Sequence, residues 1–208
     1  MFFIESASNK IGSKISSNLN LDKDTEEIIA YGAFAVLQIL WSFLCVVILG
    51  TIFNVLMESI IIVSTIAIFR KYSGGIHANS PNKCAIFGAI ICIGMALVIK
   101  NISIDIKLVF ITTIITFIYS YYTIYKFVPL DTKAKPIENI DEKLRLKKYS
   151  FLVIGILLLI EILLILLYLK YNNISLIYYG SCIMMGILWQ SFTLTPVAKK
   201  IFYNIAME

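Results

Sequence analysis

The chain has a single histidine, His77, among its 208 residues. One imidazole and one nearby thiol are too few ligands for a zinc site, so metal chemistry is not expected. Only 4 prolines and 4 cysteines occur. Three of those cysteines, Cys45, Cys92 and Cys182, lie inside apolar runs, which gives no sign of a disulfide framework. Charge is also scarce: charged residues make up 15% and hydrophobic residues 59%, whereas soluble domains carry about a quarter charged. Mean hydropathy is +0.86. No stretch between the apolar runs is long enough for a large soluble domain. The apolar residues run continuously instead of alternating, which argues against a transmembrane β-barrel. What remains is an all-α polytopic membrane protein.

Taken in order, residues 1 to 20 lack the basic start and apolar core of a signal peptide. Ile4, Ala7, Ile11 and Ile15 recur at helical spacing, with Lys10, Ser13, Lys14 and Ser17 away from them. This predicts an amphipathic interfacial helix within 1–24. Asp24 and Glu27 resemble a capping box that opens the first span. Six transmembrane helices are expected across 28–194: Ile28 to Leu49, Val55 to Phe69, Ala85 to Ile99, Leu108 to Tyr125, Phe151 to Leu169 and Ile174 to Leu194. A short turn, Gly50 to Asn54, separates the first two. A basic loop, Lys126 to Ser150, precedes the fifth, and 195–208 reads as a cytoplasmic tail. There is no repeat and no linker, so 1–208 is expected to be one membrane-embedded domain.

The net charge of +5 does not point to nucleic acid, because the basic residues flank the apolar runs. All but Lys100, Lys107 and Lys170 of the 18 Lys and Arg residues fall on one side of the six-span layout. By the positive-inside rule, that side is cytoplasmic and holds both termini.

The stretch Arg70 to Cys84 is polar and falls between the second and third spans, on that side. It contains His77 and Cys84. Ser80-Pro81 suits the start of a helix, serine as N-cap and proline at the first position. Cys84 then falls at the end of the first turn, near unpaired backbone N–H groups and the positive end of the helix dipole. Lys83, Lys71 and Arg70 add positive potential. Such surroundings favour a thiolate, the nucleophilic form, and the free N–H groups could hold an oxyanion. His77 can fold back through Gly74-Gly75 to act as general base. Ser73, Asn79, Asn82 and Gln190 are candidates for orienting the imidazole. A plainer reading also fits: His77 as a loop residue at the headgroups and Cys84 as a small apolar filler.

Arg70, Gly75, His77 and Cys84 match the pattern R-x4-G-x-H-x6-C. Downstream, Pro129 to Ile137 forms a proline- and lysine-rich loop ending in Lys135-Pro136-Ile137, followed by a basic stretch, Lys143 to Lys148. In these motifs, in size and in six-span layout, the chain resembles the accessory gene regulator B family of bacterial membrane endopeptidases. The resemblance implies a cysteine endopeptidase of the cytoplasmic membrane that cuts a quorum-sensing propeptide. Cys84 would be the nucleophile and His77 the base, with a thioester acyl-enzyme and then cyclisation to a thiolactone or lactone. No cofactor is implied. The substrate would be a short propeptide with an amphipathic leader and an acidic tail. Arg70, Gly75, Lys133 and Lys135 would bind it, with Lys143, Lys147 and Lys148 adding attraction. Topology alone explains the lysines equally well.

Glu58 and Glu161 lie within apolar runs, where carboxylates are costly. A protonated, inward-facing structural role is expected for both. The competing function is a small transporter that uses them as a proton or cation path. The bilayer is an obligatory partner. A second copy of the chain is a further candidate, since six short helices make a small bundle with polar faces to cover.

Overall fold

The computed structural model describes residues 3–75, 81–130 and 139–206. Eight helices follow in order: α1 Phe3–Leu19, α2 Lys23–Ile52, α3 Leu56–Ser73, α4 Pro81–Asn101, α5 Ile106–Phe127, α6 Ile140–Tyr171, α7 Ile174–Thr193 and α8 Pro196–Ala206. Among the described residues the only β pairing is one isolated parallel bridge, between Gly74 and Leu130. Five helices, α2, α4, α5, α6 and α7, are long and apolar enough to cross a membrane. They coincide with five of the six expected spans. The remaining one corresponds to α3, which has 18 residues, carries Glu58, Arg70 and Lys71, and continues four residues past Phe69.

Helix α7 is the post against which α3, α4, α5 and α6 pack. It contributes Ile183 and Ile187 to one apolar cluster with Phe69, Phe117 and Ile154. Its Cys182 joins a second with Val55, Ile62 and Ala96. Its Ile177 and Met184 join a third with Val109 and Ile165. In lipid the apolar effect does not drive helices together, so close approach and interhelical hydrogen bonds must do so. Both occur here. A Cβ at Gly186 would stand 2.9 Å from Thr65 Cβ and 3.1 Å from Ile62 O, so α3 and α7 meet almost backbone to backbone. Helix α5 presents Thr113, Thr116, Ser120 and Thr123, all buried and on one helical face. Ser191 Oγ of α7 donates to Ser120 Oγ at 2.8 Å, and Thr113 Oγ1 donates to Met184 Sδ at 2.9 Å. Substituting Gly186→Val is therefore expected to cost about 1–3 kcal/mol by overpacking. Thermal unfolding of the detergent-solubilised protein would show this as a lowered midpoint.

Glu161 points inward, as expected, and is fully buried. It fills a notch in α7: a Cβ at Gly180 would lie 2.7 Å from Glu161 Oε1. Neither carboxylate oxygen has a hydrogen-bond partner among the described residues. Glu58 is only half-buried.

Four expectations are corrected. The basic stretch Lys143 to Lys148 is not loop but the opening turns of α6. Asn139 Oδ1 accepts from Asp141 N at 2.9 Å, and Asp141 and Glu142 occupy the first turn, where carboxylates favour the helix dipole. A helix thus starts 11 residues before the apolar run at Phe151. The first span begins after Asp22, not at an Asp24/Glu27 box: Asp22 is the N-cap residue and accepts a hydrogen bond from the Thr25 hydroxyl. That helix runs through Ile52 instead of ending at Leu49, leaving the turn to Phe53, Asn54 and Val55, with Asn54 at φ 55. The expected tail is helical, since α8 starts at Pro196 with Thr195 Oγ1 accepting from Ala198 N at 3.3 Å.

The N-terminal amphipathic helix is present, and a face other than its isoleucine one packs against α2. Ser8, Gly12 and Ser16 pack against α2, while Ile11 and Ile15 stay 39% and 37% exposed. A Cβ at Gly12 would fall 2.8 Å from Ala30 Cβ. The small residues permit the close crossing, and the isoleucine face is left for lipid. Between α1 and α2 lies a cleft of about 430 Å³ lined by Glu5, Ser8, Asn9, Glu27, Tyr31 and Phe34, among others.

Candidate active site at the α3–α4 junction

Phe69 anchors the end of α3 in the apolar core, so the following residue, Arg70, emerges at the edge of that core, partly exposed. The helix ends at Gly74, whose N–H donates to Arg70 O at 3.0 Å. Gly74 has φ 73 and ψ −159, a conformation open essentially to glycine alone. This turn is held from two sides. From the segment after α5, Leu130 N donates to Ser73 O at 3.0 Å. From α7, Gln190 Nε2 donates to Ser73 Oγ at 3.0 Å and to Gly74 O at 2.8 Å. Ser73 and Gln190 are both fully buried. The segments flanking both motif loops are therefore tied to one point on α7.

Gly75 is buried. A Cβ there would stand 3.3 Å from Arg70 Cζ, Arg70 Nε and Gln190 Nε2 alike. The guanidinium and the carboxamide thus flank the same glycine, and no side chain has room between them. Desolvation lowers the Arg70 pKa from its ordinary value, and the Cys84 sulfur acts in the opposite direction. Arg70 lies in the last turn of α3 and Cys84 in the first turn of α4. Cys84 lies in the first turn of α4, as the position of Pro81 predicted, and is partly exposed. The next residue, Ala85, is buried, which fixes that face of the turn against the bundle. The other three thiols are elsewhere: Cys92 and Cys182 belong to the core, and Cys45 lies on α2.

Of the residues singled out in the sequence, Arg70, Gly75, Ser73 and Gln190 come together, and Cys84 stands in the first turn of the next helix. Asn82 is half-buried in the first turn of α4. His77, Asn79, Ser80, Lys133 and Lys135 lie outside the described residues. Two lysines are engaged within the protein: Lys147, counted as substrate attraction, and Lys71, counted as positive potential near Cys84. Lys147 Nζ donates to Tyr125 O at 2.6 Å, which places a cation at the carbonyl end of α5. Lys71 Nζ stands 5.4 Å from the Tyr72 ring centroid, and that ring packs against Tyr149 of α6. Lys143 and Lys148 remain exposed. The partnership of Leu130 with the Ser73-Gly74 turn went unforeseen, since a backbone bond between two loops has no side-chain signature. Among the described residues, no group of His, Cys, Asp and Glu is arranged to hold a metal.

Comparison with known proteins agrees with the motifs. The family model described as accessory gene regulator B matches residues 8–194. The chain is similar to AgrB-like protein 2 of Clostridium perfringens strain 13, at 39% identity over 97% of this chain and 96% of that protein. It is similar to the AgrB-like protein of Clostridium perfringens strain SM101 at 38% identity, again over 97% and 96% of the two chains. Protein FsrB of Enterococcus faecalis is 26% identical over 78% of this chain and 61% of its own length. No solved structure matches the chain. With the matched region spanning most of its length and taking in the Arg70–Cys84 junction and Gln190, the chain belongs to the accessory gene regulator B family.

Proposed function

We propose that this protein is a membrane cysteine endopeptidase that cuts a short propeptide at Cys84 and promotes cyclisation of the part it keeps. Membership of the accessory gene regulator B family supports a role in quorum-sensing peptide processing. The observation that carries the finer reading is the thiol in the first turn of α4, with the Arg70 cation in the last turn of α3. A thiolate is the reactive form of cysteine, and a nearby cation and a helix N-terminus both favour it.

The chemistry follows from that position. The Cys84 thiol gives its proton to His77, the sulfur attacks the scissile carbonyl carbon, and the C–O π pair moves onto oxygen. Free N–H groups at the start of α4 can stabilise that oxyanion. When it collapses, the C–N bond breaks, a thioester forms on Cys84, and the acidic tail leaves as an amine that takes a proton from His77. A thiol or hydroxyl of the retained peptide, deprotonated by His77, then attacks the thioester. The new S–C or O–C bond closes the ring and Cys84 leaves as thiolate. The bond energy is kept only if water stays out, and a site at the membrane edge assists that. In this reading α3 completes six spans and both termini are cytoplasmic, with Arg70, Gly75, Lys133 and Lys135 binding the propeptide.

The test is to trap the acyl-enzyme. The solubilised protein is incubated with a synthetic propeptide that has an amphipathic leader, a central Cys or Ser and an acidic tail, then denatured in acid and weighed intact. A mass gain equal to the retained peptide, located on Cys84 and lost on hydroxylamine treatment, is the expected result. Cleavage without any adduct on Cys84 would contradict the mechanism.

A further inference from the structure

We propose that Gln190 is a positioning residue: it seats the Arg70 guanidinium in the last turn of α3, from where its charge acts on Cys84 in the first turn of α4. Gln190 is fully buried near the end of α7. Both hydrogens of its Nε2 are committed, one to Ser73 Oγ and one to Gly74 O. Gly74 O can only accept, so the amide nitrogen must face it, and the orientation of the carboxamide is fixed. The held turn is the one whose Gly74 N–H bonds to Arg70 O. The same Nε2 and the Arg70 guanidinium stand at equal distance from the place a Gly75 Cβ would take. A change at Gln190 therefore reaches Arg70 through the backbone of the turn and across Gly75.

A second observation separates this from ordinary packing. Gln190 Oε1 is buried without a hydrogen-bond partner among the described residues. An orphaned buried acceptor destabilises a fold, and a hydrophobic residue would fill the same volume without that penalty. What the amide contributes to this turn is the pair of bonds its nitrogen makes. Ser191, next along α7, bonds to Ser120 of α5, so the helix face carrying Gln190 is itself fixed in rotation.

The inference deepens the reading of Cys84 as the nucleophile, but its test needs no substrate. The full-length protein in lipid nanodiscs is alkylated with neutral iodoacetamide and, separately, with anionic iodoacetate. Mass spectrometry of the Cys84 peptide gives both rates. Their ratio reports local positive charge, which general loosening of the fold would not mimic. Arg70→Gln is expected to lower the iodoacetate-to-iodoacetamide ratio about fivefold. Gln190→Leu is expected to lower it to the same level, and the double variant no further, since both act through one contact. Gly75→Ala, which wedges a methyl between the two groups, is expected to lower the ratio partway and decides the matter should Gln190→Leu fail to insert. A wild-type ratio in Gln190→Leu, or in Gly75→Ala in its place, overturns the assignment, as does additivity in the double variant. An unchanged ratio in Arg70→Gln overturns the pairing with Cys84. If the ratios move as stated while the wild type cuts no propeptide, the positioning role stands and the proposed function fails.

Discussion

Cys84→Ala is expected to abolish propeptide cleavage while the protein still inserts in the membrane. Removing a nucleophile costs roughly 10⁴- to 10⁶-fold in rate where binding and oxyanion contacts remain, which a processing assay reads as no product. Insertion should survive, because Cys84 is only partly buried and alanine leaves its helix intact. His77→Ala is expected to lower cleavage by about 10²- to 10⁴-fold through loss of the base. Cys45→Ala is the informative control. It removes a thiol from α2, outside the α3–α4 junction, and should leave cleavage near normal. Cys92 and Cys182 are poorer controls, since both are buried in the core and their truncation weakens packing. Co-expression of tagged propeptide with each variant, read by immunoblot, decides the point. Normal processing by Cys84→Ala would end the peptidase reading.

Gly74→Ala should have the second largest effect, although it removes no chemical group. At φ 73 and ψ −159 a side chain costs about 1–3 kcal/mol in backbone strain. The added Cβ would also stand 2.6 Å from Leu130 O. That oxygen belongs to the backbone and cannot swing aside, so the turn must move. Movement breaks the Gln190–Gly74 bond and the Leu130–Ser73 bond together. Arg70 then loses its seat. The expected result is a fall in cleavage of about tenfold or more, from roughly 1.4 kcal/mol or more of lost positioning, with the protein still in the membrane. Gly94→Ala is the matched control, because nothing lies within 4 Å of its added Cβ. In a helix interior that exchange is neutral to stabilising by about 0.5–1 kcal/mol. Equal activity in the two variants would show that the turn does not position the site.

Much of this arrangement was legible along the chain. Long apolar runs allow only helices in a bilayer, because every backbone group must be paired internally. Pro81 fixed where α4 starts and so placed Cys84 in its first turn. The motif from Arg70 to Cys84 pointed to the family. Gln190 stood out as an amide within an apolar run. The opening turns of α6 were not legible as a helix, since Lys143, Arg145, Lys147 and Lys148 look like a loop when read by hydropathy. Nor was the buried face of α1, because Ser8, Gly12 and Ser16 are unremarkable until a partner helix comes close.

What the residues determined by themselves is local: which stretches are helical and which loop bears the reactive groups. Tertiary structure alone decided which faces meet. A helix that is apolar all round carries no stripe to say which side faces lipid and which faces protein, and lipid contact does not penalise the wrong choice by hydrophobicity. The faces were selected instead by small residues and paired polar groups on different helices, such as Gly186 with Thr65 and Gln190 with Ser73. Those pairs lie more than a hundred residues apart in the sequence, and their meeting is a property of the packed bundle.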